Sequence, residues 1–325
     1  MLDTLPTWSG RGCRGAANGI VGGPMDRLFA LSGAVTISFS AILVRLAHVS
    51  PSTAAFFRPA YGLLPLLVLA LAVPGSRPRS LRRRAATVGA GMLMGLAFVL
   101  WNYAIGDIGA GAATVLSNTQ VVFVGLAAWL LMGERPTGVA FVAVPVVFAG
   151  VALTSGLGLP GTYGSAPVLG ALWALANAVV YASFLLLFRS LNGSRSLPAG
   201  LLFDASLGAA LSTLASGILT DPGFSLAFTW PSHGWLILLG LGPQVVGWLL
   251  ILTALPRLPA LETSVTLLAQ PMLTVLWGRL IFAEKLSWVQ AGGVSLVLLG
   301  VLALSLGGTV RRRAGRRAEA RGAAD

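Results

Sequence analysis

The chain has 325 residues, of which 56% are hydrophobic and only 10% charged, against roughly 25% charged in an ordinary soluble domain. So few charges cannot cover that much apolar surface in water, which excludes a soluble globular fold. The net charge of +12 does not mark a nucleic-acid binder either, because the basic residues form short runs beside apolar blocks, where they act as orientation signals for membrane spans.

Residues 1–27 are Gly-rich, lack a sustained apolar core, and read as a flexible extension rather than a signal peptide. Apolar blocks of about twenty residues follow, the length a helix needs to cross ~30 Å of hydrocarbon. The alternating ten-residue pattern of a membrane barrel is absent. Ten spans are predicted, at 28–48, 53–73, 87–106, 111–131, 138–157, 166–187, 199–219, 234–254, 261–281 and 288–307. The linkers at 106–111 and 254–261 are very short, and 308–325 reads as a flexible basic cytoplasmic tail. With both chain ends on the cytoplasmic side, inside segments hold eighteen of the 22 Lys and Arg, which fixes that orientation.

The stretch Gly133-Glu134-Arg135-Pro136-Thr137 returns 150 residues later as Ala283-Glu284-Lys285-Leu286-Ser287, with Gln120 over Gln270 and Gly150 over Gly300. The chain therefore divides into repeats at 28–157 and 166–307. Five spans each make the second half enter from the opposite side, an inverted repeat suited to alternating access. The fold class expected is an all-α polytopic membrane protein of ten helices in two inverted five-helix repeats.

Charge at membrane depth is costly and marks function by default. Arg58 lies early in the second span, and its counterpart in the second half is Asp204. Together they read as a cation and an anion lining a cavity between the halves. The third and fourth spans add Trp101, Asn102, Tyr103, Ser117, Asn118 and Gln120, and the ninth adds Gln270. Their amides offer donors and acceptors to a substrate, while the competing reading is interhelical hydrogen bonding. Asn177, Tyr181 and Gln244 are further cavity candidates. Pro271, by removing a backbone donor, bends the wall beside Gln270. Arg45 reads as an interfacial anchor or gate, and Glu262 as a gate residue. Glu134 and Glu284 are expected to cap the following helix or pair with a cation at a tight turn. Gly89, Gly91, Gly95, Gly125, Gly150, Gly292, Gly293 and Gly300 are expected to let helices approach closely. Cys13 is the only cysteine, His48 and His233 lack ligand-spaced neighbours, and no HExxH, GxSxG, Walker loop or CxxC occurs. No enzyme, metal site or cofactor is expected.

Taken together, Arg58, Tyr103-Ala104, Gly133 to Thr137, Gly150 and their echoes at Gln270-Pro271, Ala283 to Ser287 and Gly300 resemble the EamA-type permeases of the drug/metabolite transporter superfamily. Val121 stands where that family carries a proline, which Pro271 retains. The resemblance covers residues 28–307 and implies a bacterial inner-membrane permease moving a small metabolite, often outward, with amino acids or related zwitterions well represented. A drug-efflux permease, a small-solute channel and a membrane protein that transports nothing are the alternatives. The expected partners are a small-molecule substrate and the lipid bilayer, with a coupled proton and a homodimer left open, and no nucleic acid.

Overall fold

In hydrocarbon, apolar blocks satisfy their backbone N–H and C=O groups only by closing into helices or a sealed barrel. In the computed structural model of the protein, which describes residues 23–72, 80–132, 138–154, 163–191, 198–254, 258 and 260–321, every regular element is helical. The first half holds α1 (Pro24–Ser38), α2 (Ser40–Ala47), α3 (Pro51–Ala72), α4 (Leu81–Ser117), α5 (Gln120–Met132) and α6 (Gly138–Thr154). The second holds α7 (Pro167–Leu191), α8 (Pro198–Thr220), α9 (Ser232–Leu239), a π-helical stretch Gly240–Gly247, α10 (Trp248–Ala254), α11 (Ala260–Phe282) and α12 (Trp288–Arg321).

Six stretches are long and apolar enough to cross a membrane: Pro24–Ala47, Pro51–Ala72, Leu81–Ala127, Pro167–Phe188, Ala199–Thr220 and Ser232–Ala254. The shorter apolar helices Gly138–Thr154, Leu268–Phe282 and Trp288–Leu304 accompany them. The chain is thus an all-α membrane protein with several membrane-spanning helices.

Three boundaries differ from the sequence expectation. The linker expected at 106–111 contracts to Gly109, whose backbone (φ 82°, ψ 167°) breaks the helical path within α4. A positive φ of this kind strains any side chain but glycine's lack of one. The fourth predicted span is itself interrupted at Asn118–Thr119, although it lacks the proline. There the Asn118 amide donates to the Thr114 carbonyl (2.8 Å) and the Thr119 hydroxyl to the Leu116 carbonyl (2.7 Å), competing with the helix ladder. α11 by contrast is helical throughout, Pro271 included. Beyond 307 the expected flexible tail continues α12 to Arg321, in keeping with the high helix propensity of its Ala and Arg residues.

The halves are interleaved. α4 packs on α7 and α8, α3 on α8, and α6 on α12. Small residues decide how close these pairs come. On α4, Gly91 and Gly95 lie against the backbone of Ala205 and Ala209 of α8. On α6, a side chain at Gly150 would meet Gly293 and Val297 of α12, and one at Gly300 would meet Val147 and Ala143 of α6. Gly89, Gly125 and Gly292 face open space instead and serve no close packing, because the helical turn directs them off the seam. We predict that Gly91→Leu lowers stability by about 1–3 kcal/mol, as overpacking does. Gly89→Leu, two residues away, should shift it by no more than about 0.5 kcal/mol. Thermal unfolding in detergent compares the two.

Candidate functional site

A cavity of about 270 Å³ lies between the two halves. Its first-half wall includes Ser40, Arg58, Phe98, Trp101, Ser117 and Asn118, with Gln120 beside them. The second half supplies Asn177, Tyr181, Trp248 and Gln270, together with the apolar Leu185, Ile251 and Leu268. That volume falls just below the ~300–1,000 Å³ of pockets that hold drug-sized ligands, the scale of a small metabolite.

Arg58 is 5% exposed and, among the described residues, is the one charged residue of the lining. Its Nε donates to the Gln244 side-chain oxygen (3.1 Å), and the Gln244 amide donates to the Ser206 hydroxyl (3.0 Å). The guanidinium lies over the Phe98 ring at 4.0 Å and near the Trp101 ring at 5.6 Å. Placing arginine at the centre of a spanning helix costs ~2.5–3.5 kcal/mol on insertion scales, and a desolvated cation–π contact returns ~2 kcal/mol. Among the described residues, the hydrogen bond and the rings therefore hold the cation without a carboxylate. Gln244 reaches it from the π-helical stretch, which contains Pro243. Such wide turns re-aim side chains and recur at functional sites.

The opposite-sign counterpart lies elsewhere. Asp204 is buried on α8 and accepts from Arg84 Nη2 (3.4 Å), away from the cavity lining. The amide of Asn102 donates to the Pro51 carbonyl (2.9 Å), and Tyr103 packs on Trp173 with ring centroids 5.6 Å apart. Only Trp101 of that triplet lines the cavity.

At the end of the bundle where α2 finishes and α3 begins, Glu284 knits the halves together. Ala283, at φ 52°, turns the chain after α11 so that the Glu284 carboxylate accepts the Ala110 N–H (2.8 Å) and Gly111 N–H (3.3 Å) and pairs with Arg45. It thus caps the helix that restarts after Gly109, not the helix that follows it in sequence. The Arg45 guanidinium also lies 4.0 Å over the Phe282 ring, which makes Arg45 part of this clasp. Glu134 lies outside the described residues, as does the side chain of Glu262.

Comparison with known proteins agrees with this architecture. A model described as the EamA-like transporter family matches twice, at residues 27–156 and 168–306. The chain belongs to the EamA-like transporter family. It is a transporter rather than an enzyme. An uncharacterized protein of Pseudomonas aeruginosa is 32% identical over 72% of this chain and 79% of its own. An uncharacterized transporter of Synechocystis is 26% identical over 82% of this chain and 79% of its own. A protein crystal structure superposes with a TM-score of 0.58 at 18% identity, over 88% of this chain and 98% of that one, a likeness of fold.

Within this EamA-like chain, sequence reasoning passed over Ser40, Phe98 and Trp248. Phe98 and Trp248 carry the same hydropathy as residues facing lipid, and nothing in the pattern separates them. His233 is buried against Phe57, its ring bonded to the Tyr61 hydroxyl (2.5 Å) and near the Ala227 carbonyl (2.9 Å).

The same end carries a second tie. Asp221, in the loop after α8, accepts the Ser52 N–H at the start of α3 (3.1 Å) and the Gly223 N–H (2.9 Å). Burial alone would raise its pKa, but the Ser50 hydroxyl and these two N–H groups together bring it below the ordinary 3.8. A carboxyl depressed in the fold stabilises it fully above the unfolded value and loses that contribution as pH falls through the lower folded value. Asp221→Asn should therefore flatten the loss of thermal stability below about pH 4, relative to the parent chain. Unfolding temperatures from pH 6 down to 3 measure this, and identical acid limbs would remove Asp221 from this second tie.

Proposed function

We propose that this chain is an alternating-access permease of ten spans in two inverted halves. On this reading it moves a small carboxylate-bearing metabolite across a bacterial cytoplasmic membrane. The observation that carries the proposal is the reciprocity of the α6–α12 contact. Gly150 meets 293 and 297, while Gly300 meets 143 and 147. Each pair is the other shifted by 150 residues, as a two-fold axis requires. The numbering also runs in opposite senses along the two helices. A two-fold relating antiparallel helices lies across them, in the membrane plane, which is the arrangement of inverted repeats. The double match of the family model supports the same division.

The cavity sits where such a carrier binds, between the repeats and built from both. The clasp of Arg45 and Glu284 closes one end of the bundle, and exchanging the conformations of the halves would open that end while closing the other. Arg82 to Arg84 at the start of α4 and the arginine-rich end of α12 lie far along those helices from Glu284, which supports cytoplasmic termini and an outward-facing clasp. Export is the direction we favour on the family resemblance.

The inverted arrangement is tested by single cysteines in a Cys13→Ser background, labelled with a membrane-impermeant maleimide. Arg135→Cys and Lys285→Cys should react from opposite faces of the membrane; reaction from one face would overturn the arrangement. Transport itself is tested by comparing metabolites retained by cells with and without the protein, then by counterflow of the accumulated compound in proteoliposomes.

A further inference from the structure

An arginine buried among aromatic rings and amides leaves its charge uncompensated unless a ligand supplies the counter-charge. The described acidic side chains are all engaged away from the cavity. Asp26 accepts from the Gly23 N–H at the start of α1, and Asp107 is hydrogen-bonded to Ser165. Asp204 accepts from Arg84, Asp221 holds the start of α3, and Glu284 pairs with Arg45. None of them lines the cavity.

Two more groups point the same way. The hydroxyls of Ser40 (1% exposed) and Ser117 (8% exposed) belong to lining residues, and both are buried without a hydrogen-bond partner. Buried polar groups in native proteins are satisfied, so unsatisfied ones in a cavity wall await a ligand or water. A carboxylate accepts from hydroxyls and pairs with a guanidinium in bidentate fashion. The remaining wall, with Phe98, Trp101, Tyr181 and Trp248, offers flat apolar surface for the body of the molecule.

We infer that the cavity selects an organic monoanion, a carboxylate on a flat apolar body, because no acid among the described residues faces it to hold a substrate ammonium group. The cation–anion pair of Arg58 and Asp204 expected for a zwitterion is not assembled. Arg58 binds the carboxylate, and Gln244 is a positioning residue that holds the guanidinium from behind while leaving its charge intact. Resting on the transport reading, this assignment names the substrate class of the same site.

The test uses the purified full chain in lipid nanodiscs with a matched series: 3-phenylpropionate, phenylalanine and 2-phenylethylamine. The propionate should bind at least tenfold tighter than the amine, and tighter than phenylalanine. Gln244→Glu keeps the shape but sets a carboxylate against Arg58, so it should weaken propionate binding at least tenfold without weakening amine binding. Ser117→Ala, which breaks no existing hydrogen bond of its hydroxyl, should weaken propionate binding severalfold with thermal stability unchanged. Amine or phenylalanine binding as tight as the propionate, no binding by any of the three, or a Gln244→Glu protein that is folded and binds propionate normally would overturn the assignment. Counterflow separates it from the transport reading. Selective propionate binding without counterflow leaves the anion site standing and removes transport, whereas counterflow of the amine alone does the reverse.

Discussion

A guanidinium kept buried with no acid beside it among the described residues is the constraint around which the centre of this protein is arranged. Arg58 must find its stabilisation in what surrounds it, and it does so from both halves. The Phe98 and Trp101 rings come from the first half, and the Gln244 oxygen comes from the π-helical stretch of the second. A charge satisfied in this way keeps its field directed into the cavity. Pairing it with Asp204 would have neutralised it. Arg84 takes that acid instead, and the two ionic roles are separated along the bundle.

On the alternating-access reading proposed above, the halves lie close enough to share a cavity yet separate at one end. Glycine at the α4–α8 and α6–α12 contacts supplies the closeness. In lipid, where apolar side chains gain nothing by leaving one apolar solvent for another, tight backbone contact carries more of the association. The clasp of Glu284, Arg45 and the two amides after Gly109 supplies the closure. Its parts are polar, so water entering from that end can replace each bond in turn, which an apolar seam would not allow.

Much of this was legible from residues alone, and for physical reasons. Length and hydropathy specify spans because the bilayer fixes both. The repeat of Glu134 at Glu284 is the sequence basis of the two halves we propose, and the cost of burying charge singled out Arg58. Side-chain partnership was less legible. Asp204 reads as the mate of Arg58 by repeat position, but Arg84, one turn into α4, reaches it first, and in the sequence that arginine belongs to a membrane-flanking run. Glu284 reads as a cap for its own following helix or as the partner of a cation; it pairs with Arg45, and Ala283 turns it to cap at Ala110, 174 positions away, in place of the following helix. The wide turn that aims Gln244 leaves no mark except Pro243 and its neighbouring glycines, and Ser40 resembles any small residue at a helix contact.

The central claim is that the Arg58 cavity meets water from each side of the membrane in turn. Its most direct test places one cysteine at Asn118, within the lining, in a Cys13→Ser background, with a Leu64→Cys control on the lipid-facing side of α3. Impermeant maleimide is applied to vesicles of each orientation. The account predicts that Asn118→Cys reacts from both sides, at rates that a transported substrate shifts in opposite directions, while Leu64→Cys stays unreactive. Reaction of Asn118→Cys from one side only, under every substrate condition, would contradict it.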